Sequence, residues 1–210
     1  MAKTASFEKF YKFYDTWFDD NRFVYLSELK AVRRFVPPGK KGVEVGSGSG
    51  KFSLPLGIRI GVEPSYRMQR LAVSRGMEII DGVAECLPLR SELFDFVLMV
   101  TTICFLDDVE SAFLEVRRVL KPGGSFIAGF VDRESAIGKM YQDRRHESKF
   151  YREAAFFSPS EVIGWMRRTG FSHAGVVQTV FGNSLDKITV VQDWKEGSGK
   201  GAFCVVRGMK

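Results

Sequence analysis

A glycine-rich segment follows directly after a short apolar run near the start of the chain. The segment "VGSGSGKF" spans residues 45–52 and places Gly46, Gly48 and Gly50 at alternate positions. Glycine allows positive backbone φ angles and lets backbone N–H groups approach a ligand without an intervening Cβ. A structural turn seldom needs three alternating glycines, because each one costs conformational entropy on folding. The segment therefore indicates a ligand that the backbone must approach closely.

The spacing of the glycines distinguishes among the possible ligands. A phosphate loop requires G-x-x-x-x-G-K-[ST], but Val45 and Phe52 occupy its first glycine and its hydroxyl positions. A dinucleotide fold requires G-x-G-x-x-G, and here the third glycine comes one residue early. These two ligands, and a glycine turn without a ligand, are the weaker alternatives. A third candidate is a nucleoside that carries an amino acid.

Five segments in order resemble one family across residues 41–130. They are "VEVGSGSG", "GVEPS", "DGVAECLPL", "FDFVLMVTTICFL" and "VLKPGGSF". They are similar to the motifs of class I S-adenosylmethionine-dependent methyltransferases, which have a Rossmann-like fold. A lone G-x-G-x-G would be weak evidence, whereas five ordered segments are strong. The resemblance implies S-adenosylmethionine as cofactor, S-adenosylhomocysteine as product, and an enzyme that transfers a methyl group.

The resemblance also implies which residues bind the cofactor. In the second motif Glu63 would accept both hydroxyls of the ribose, as an ionised carboxylate can. Its alternative role is that of a helix N-terminal acid placed before Pro64. Glu44 would lie near the methionine ammonium of the cofactor, or else be buried and hold the glycine loop. The implied cofactor-binding set is Glu44, Gly46, Ser47, Gly48, Gly50, Glu63, Pro64, Met68, Gly82, Val83, Ala84, Glu85, Thr101 and Thr102.

The adenine segment departs from the family pattern at one position. Val83 stands where a polar residue is common, so Asp81 or Glu85 is the alternative contact for the adenine amino group. Pro64 is a rigid apolar surface for the adenine, and Met68 either flanks the adenine or belongs to the core. Thr101 and Thr102 would lie beside the methionine part of the cofactor and its transferable methyl.

The acceptor is expected to bind under two variable segments. Residues 1–36 form a predicted N-terminal helical cap, and residues 133–157 form a cap inserted after the fifth strand. The candidate substrate-binding residues are Tyr11, Tyr14, Trp17 and Tyr151. The aromatic spacing in the first segment is equally typical of an amphipathic core helix. We expect a small-molecule acceptor; the alternatives are a protein or RNA acceptor and a non-catalytic protein that binds S-adenosylmethionine.

The sequence offers no evident catalytic base or metal site. Methyl transfer from a sulfonium is an in-line displacement that depends mainly on alignment, and a base is needed only if the acceptor arrives protonated. His146 and His173 lie outside the matched motifs and are interpreted as surface residues. The chain has three cysteines with neither metal-ligand spacing nor a disulfide framework. The catalytic residues are therefore unassigned, and no metal is expected.

Alternating strands and helices must position these residues. Seven strands are predicted, at "GVEV", "IRIGVE", "MEII", "LFDFVLMV", "SFIAGF", "AGVVQTV" and "GAFCVVRG". The pattern predicts an α/β fold with a doubly wound, mostly parallel seven-stranded sheet, an antiparallel C-terminal edge pair, and helices on both faces. A helix from about residue 20 is predicted to bury Phe23, Leu26, Leu29 and Val32. Pro55 and Gly57 limit the helix after the glycines to about two turns or less.

Composition sets further bounds. The 210 residues fit a single domain over 1–210, and no apolar run reaches the roughly 20 residues of a membrane span. The net charge of +6 comes from basic residues interleaved with acids, which argues against a nucleic-acid partner. A cytoplasmic location is expected, and oligomeric state is not indicated. The chain has only two Asn and four Gln, which predicts a thermophilic source because amides are thermolabile.

Overall fold

A central eight-stranded sheet with helices on both faces forms the body of the molecule. The computed structural model describes residues 3–210, apart from the side chain at position 173. The strands are β1 Gly42–Val45, β2 Ile60–Val62, β3 Glu78–Ile80, β4 Phe94–Val100, β5 Leu120–Val131, β6 Ser172–Thr179, β7 Lys195–Glu196 and β8 Phe203–Met209. The helices are α1 Ala5–Asp20, α2 Arg22–Arg33, α3 Tyr66–Ser74, α4 Val109–Val119, α5 Ala136–Asp143 and α6 Pro159–Arg168.

The strand order agrees with a doubly wound fold and corrects one detail of the prediction. The order is β3-β2-β1-β4-β5-β8-β6-β7, with parallel pairing from β3 to β5 and antiparallel pairing beyond β5. The predicted antiparallel pairing of the last two long strands is confirmed. The predicted total of seven strands is wrong by one, because the two-residue strand β7 pairs with β6 and forms the outer edge.

Strand β4 lies at the centre of the core and contributes to both of its faces. Phe94, Val97 and Met99 belong to the apolar cluster that α4 and α6 cover. Phe96 and Leu98 belong to the cluster on the opposite face, which α1 and α2 cover. From Phe96 onward the residues alternate between the two faces, as in a strand buried on both sides, and the register shift between Phe94 and Phe96 interrupts the alternation at the start of β4. Among the described residues, no helix is long and apolar enough to cross a membrane.

The segment after the glycine loop is shorter than an α-helix. It forms a single 3₁₀ turn at Leu54–Leu56, which ends at Gly57 with φ of +79°. Pro55 lies inside this turn and Gly57 reverses the chain, so a longer helix cannot propagate. Helix α2 compensates for the missing turns: the Tyr25 hydroxyl donates to the Lys51 carbonyl, and the Arg33 guanidinium donates to the Pro55 carbonyl.

Helix α2 buries only part of the face that its apolar spacing predicts. Phe23 is exposed, while Ser27 and Glu28 are buried together with Leu29 and Val32. The Ser27 hydroxyl donates to the Phe23 carbonyl and accepts the Gln192 N–H, so its burial leaves no polar atom unsatisfied. Leu29 and Val32 are therefore buried as predicted, Phe23 is not, and the helix also carries a carboxylate inward.

Candidate functional site

The three glycines of the loop after β1 all have positive φ angles, of +71°, +52° and +82° at Gly46, Gly48 and Gly50. A Cβ on Gly46 would overlap the side chain of Thr102, and one on Gly50 would lie 2.6 Å from the Met77 sulfur. A Cβ on Gly48 would meet only the Tyr14 ring, at 3.8 Å. Gly46 and Gly50 are therefore required by the packing of the protein itself, whereas Gly48 faces open space.

Ser47 lies on the side of this loop that packs against β2. Its N–H donates to the Val62 carbonyl at 3.2 Å, as does the N–H of Gly46 at 2.8 Å. The Ser47 side chain is buried, and its hydroxyl has no hydrogen-bond partner among residues 3–210. A Cβ on Gly61 would overlap this hydroxyl, so Gly61 lets the loop settle onto β2. Ser47 and Gly50 line neither of the two cavities that are described below.

Glu63 follows β2, where its carboxylate faces the glycine loop. Its Oε2 accepts the Gly48 N–H at 2.8 Å, and its Oε1 accepts the Ser65 N–H at 2.9 Å. Burial raises the pKa of Glu63 to about 7, although the backbone N–H groups of Ser65 and Gly48 oppose the shift. A carboxylate offers about four lone-pair sites, so each oxygen keeps capacity for one more donor. Glu63 can therefore hold the loop and bind a ligand hydroxyl pair at the same time.

These residues open onto a cavity at the carboxyl edge of the parallel strands, here called the glycine-loop cavity. Twelve of the eighteen predicted site residues line it: Tyr14, Gly46, Gly48, Glu63, Pro64, Met68, Gly82, Val83, Ala84, Glu85, Thr101 and Thr102. Eight further residues line it that were not predicted from the sequence: Lys3, Thr4, Phe7, Val45, Val100, Phe105, Leu106 and Asp107. For Phe7 the aromatic residues of α1 were the one sequence feature that could have indicated a place in this cavity.

The segment after β3 is fixed in place by its own acids. The Glu85 carboxylate accepts the backbone N–H of Asp107 at 2.8 Å, which ties this segment to the loop after β4. The Asp81 carboxylate accepts from the Gln69 amide at 2.8 Å, and that amide also donates to the Glu63 carbonyl at 2.7 Å. Asp81 does not line the cavity, so Glu85 is the acid of this segment that faces a ligand.

Glu44 takes a position beneath the loop and not in the cavity. It is buried, and its carboxylate accepts a hydrogen bond from the Ser53 hydroxyl. Burial raises the pKa of Glu44 to about 8; Ser53 opposes the shift and the charge of Glu63 adds to it. Of its two predicted roles, this geometry favours the one that holds the glycine loop.

Helix α1 covers the cavity and is attached to both of its walls. Asp15 accepts a bidentate ion pair from Arg75, at 2.8 and 2.6 Å, and a hydrogen bond from the Ser49 hydroxyl at 2.5 Å. Near the start of the helix, the Glu8 carboxylate accepts the Ser65 hydroxyl at 2.8 Å. These contacts join the helix to the glycine loop, to α3 and to the turn after Glu63, so it is positioned as a roof.

A second cavity, here called the aromatic cavity, lies beside the first and has a volume of about 420 Å³. Tyr14 and Thr101 line both cavities, and Trp17 and Tyr151 line the second. Tyr11 lines neither and lies near the surface, 5.7 Å from the Arg67 guanidinium. Thr101 has φ of +52°, which is strained for a non-glycine residue. The two cavities therefore meet at a constrained residue.

The phenols and the thiol at this junction are neutral. Burial raises the pKa of Tyr14 above its usual range, although the neighbouring Thr101 side chain opposes the shift. Burial likewise raises the pKa of Tyr151, and it raises that of the Cys104 thiol to about 12. His146 is exposed and lines neither cavity, whereas the His173 side chain lies outside the described part of the chain. Among the described side chains, no group of three or more His, Cys, Asp or Glu is placed to hold a metal.

Three buried carboxyls predict how stability changes with pH. Burial raises the pKa of Glu28 and Glu44 to about 8 and that of Glu63 to about 7, from about 4.3 in an unfolded chain. Between these values the folded state binds more protons, so the free energy of unfolding falls as pH rises. The pKa values of Asp15 and Glu115 are lowered in the folded state. Both groups are therefore ionised in the folded and the unfolded chain above about pH 5, and they do not change the stability between pH 5 and pH 8. Since one pKa unit corresponds to about 1.4 kcal/mol, we expect a loss of at least about 3 kcal/mol from pH 5 to pH 8.

Urea unfolding of the ligand-free protein at intervals across this range would measure the loss. The variant Glu28→Gln should flatten the dependence, because its buried amide does not titrate. Glu147→Gln, at an exposed carboxylate, should leave the dependence unchanged. Stability that is constant or rises from pH 5 to pH 8 would contradict the prediction.

Comparison with known proteins assigns this site to a family. A family model described as a methyltransferase domain matches residues 43–128. A crystal structure of a SAM-dependent methyltransferase from Thermotoga maritima, described as a possible histamine N-methyltransferase, is 49% identical, covers 99% of each chain and superposes with a TM-score of 0.96. An uncharacterized protein of Methanocaldococcus jannaschii is 41% identical over 97% of this chain and 98% of its own length.

A more distant relative has an assigned reaction. The ubiquinone biosynthesis O-methyltransferase of Photorhabdus laumondii is 25% identical over 72% of this chain and 70% of its own length. The chain belongs to the S-adenosylmethionine-dependent methyltransferase family, and it is an enzyme of that class. The family prediction and the fold prediction from the five ordered segments are confirmed.

Proposed function

We propose that this enzyme transfers the methyl group of S-adenosylmethionine to a small-molecule acceptor that binds in the aromatic cavity. The observation that carries the proposal is the junction of the two cavities at Tyr14 and Thr101. A cofactor in one cavity and an acceptor in the other would meet at these two residues. The volume of about 420 Å³ suits a small organic molecule.

The residues of the glycine-loop cavity fit the cofactor. Gly48 leaves a space that a side chain would fill, and Glu63 retains acceptor capacity for a ribose diol. Pro64 and Met68 supply an apolar wall, and the backbone at Ala84 lies beside it. When bound, the cofactor supplies an electrophilic methyl group on a sulfonium.

The contribution of the protein is alignment and exclusion of water. Helix α1, α2 and residues 133–157 would act as a roof over both cavities, and their aromatic side chains keep the junction apolar. A fixed approach of donor and acceptor to about 3–3.5 Å supplies much of the rate of such a displacement. The residues at the junction are neutral, so they would position the acceptor without exchanging a proton with it.

Incubation with methyl-labelled S-adenosylmethionine would test the proposal. The acceptors tested are a panel of small amines, phenols and carboxylic acids. We expect the labelled methyl group to appear in one or more of these small molecules. Label found only in added protein or RNA would show that the acceptor is a macromolecule and would contradict the proposal. Tight binding of S-adenosylhomocysteine with no transfer to any acceptor would indicate a non-catalytic binding protein.

A further inference from the structure

Two carboxylates line the aromatic cavity: Glu147 lies at its exposed rim and Glu28 in its interior. Glu28, on α2, lines this cavity and is only 6% exposed. No side chain or backbone group that the structure describes donates a hydrogen bond to its carboxylate or forms an ion pair with it. The other buried acids described above are different, because Glu44 accepts from Ser53 and Glu63 accepts two backbone N–H groups.

The position of Glu28 is costly for the protein alone. A carboxylate removed from water without a partner is penalised unless it is neutralised, and burial is the one cause that raises the pKa of Glu28, to about 8. An apolar residue on this face of α2 would pack without that penalty. A buried carboxylate that faces a cavity and lacks a partner in the protein indicates a partner in the ligand.

The walls of the cavity specify the charge of that partner. Nine aromatic residues line it, among them Trp17, Phe18 and Tyr141, and aromatic faces attract cations. The lining residues that carry a positive charge, Arg144 and Lys149, are exposed at the rim. The Lys149 ammonium lies 4.1 Å from the centroid of the Phe13 ring. The interior therefore combines one acid with aromatic faces and contains no cation.

We propose that the acceptor is an amine that enters the aromatic cavity as a cation, with the Glu28 carboxylate as its counter-ion. This inference rests on the proposed function, because it assigns the chemical class of the acceptor in the same cavity. Glu28 is a specificity-determining residue in this proposal. The ammonium that it binds can be a second basic group that anchors the molecule. If it is the nitrogen that is methylated, it first transfers one proton to the Glu28 carboxylate, because only the neutral amine has the lone pair that forms the N–C bond as the sulfonium S–C bond breaks.

Calorimetry with matched probes tests the proposal. The protein is saturated with S-adenosylhomocysteine and titrated with 2-phenylethylamine and with its neutral counterpart 2-phenylethanol. We expect the amine to bind at least about tenfold more tightly, a difference of about 1.4 kcal/mol. In Glu28→Gln the preference for the amine should disappear while the affinity for the alcohol is retained. Glu28→Asp, which keeps the charge, should restore part of the preference.

The controls separate this inference from the proposed function and from misfolding. Glu153→Gln removes an exposed carboxylate that lines neither cavity and should leave the preference unchanged. Retained affinity of Glu28→Gln for S-adenosylhomocysteine shows that the fold is intact. Equal binding of the two probes to the wild type, no amine binding at 10 mM, or a preference that survives Glu28→Gln would overturn the proposal. Failure of S-adenosylhomocysteine itself to bind would overturn the proposed function instead.

Discussion

Replacement of Gly48 by leucine is expected to lower the affinity for S-adenosylhomocysteine by at least about 1000-fold, or about 4 kcal/mol, and to leave the fold intact. A Cβ at this position would meet no protein atom closer than the Tyr14 ring at 3.8 Å, and the position lines the glycine-loop cavity. A leucine side chain would therefore occupy ligand space instead of displacing the core. A leucine in place of Gly46 would overlap the Thr102 side chain, so a loss of binding in that variant could not be distinguished from a packing defect.

The backbone at position 48 requires a matched control. Gly48 has φ of +52°, and a leucine in this region costs roughly 1–2 kcal/mol of stability. Gly57→Leu introduces the same side chain at φ of +79°, where nothing lies within 4 Å of the added Cβ. Thermal unfolding should show a similar loss for both variants, while calorimetry should show lost ligand affinity in Gly48→Leu alone. Equal affinities in the two variants would remove the glycine-loop cavity as the cofactor site.

The predicted site residues that the structure brings together are mainly those that lie at strand ends. In a parallel sheet, the residues that follow neighbouring strands meet at one edge. The glycines follow β1, Glu63 follows β2, Gly82 follows β3 and Thr101 follows β4, and the structure brings all four groups into one cavity. The order of the strands and their apolar patterns are sufficient to place them.

The N-terminal contribution depends on contacts that no local pattern encodes. Asp15 pairs with Arg75 and Glu8 with Ser65, each across about 60 residues of chain. Helical spacing predicts α1 but does not indicate which part of the sheet it covers. Lys3, Thr4 and Phe7 were therefore missed, and Tyr11 was assigned to the site although the helix turns it toward Arg67.

The predictions for helix α2 and strand β7 differ from the structure for different reasons. Periodicity assigns apolar residues to the buried face, so it places Phe23 inward and gives no signal for Glu28. In the structure Phe23 is exposed and Glu28 is buried beside the aromatic cavity, since a buried polar residue can face a cavity instead of the core. Strand β7 consists of Lys195 and Glu196, both exposed, and a two-residue strand is too short to show an alternating pattern.

The positions of Glu28 and Glu63 suggest a division between general and specific recognition. Glu63 is tied to the glycine loop by backbone hydrogen bonds and faces the glycine-loop cavity. Glu28 has no such bond from any described residue and faces the aromatic cavity. An acid that supports the loop cannot change without disturbing cofactor binding. An unpartnered acid on the roof can change with the acceptor, which makes α2 the element where acceptor specificity would vary.

Glu63→Ala is expected to lower the affinity for S-adenosylhomocysteine roughly 10- to 1000-fold. The carboxylate keeps acceptor capacity for a ribose diol beside its bonds to Gly48 and Ser65, and charge-assisted bonds contribute about 1.5–3 kcal/mol each. Asp81→Ala is the matched control, because this acid lies on the same edge but outside the cavity.

A ligand analogue separates the contribution of the diol from that of the loop. The 2′,3′-dideoxy analogue of S-adenosylhomocysteine cannot donate to Glu63 from its ribose. If Glu63 binds the diol, the wild type should prefer the natural ligand by a wide margin, and Glu63→Ala should distinguish the two ligands far less. If Glu63 only holds the loop, the variant should bind both ligands more weakly by the same factor. Calorimetry that shows this equal weakening would remove the ribose role of Glu63 and leave it a structural acid of the glycine loop.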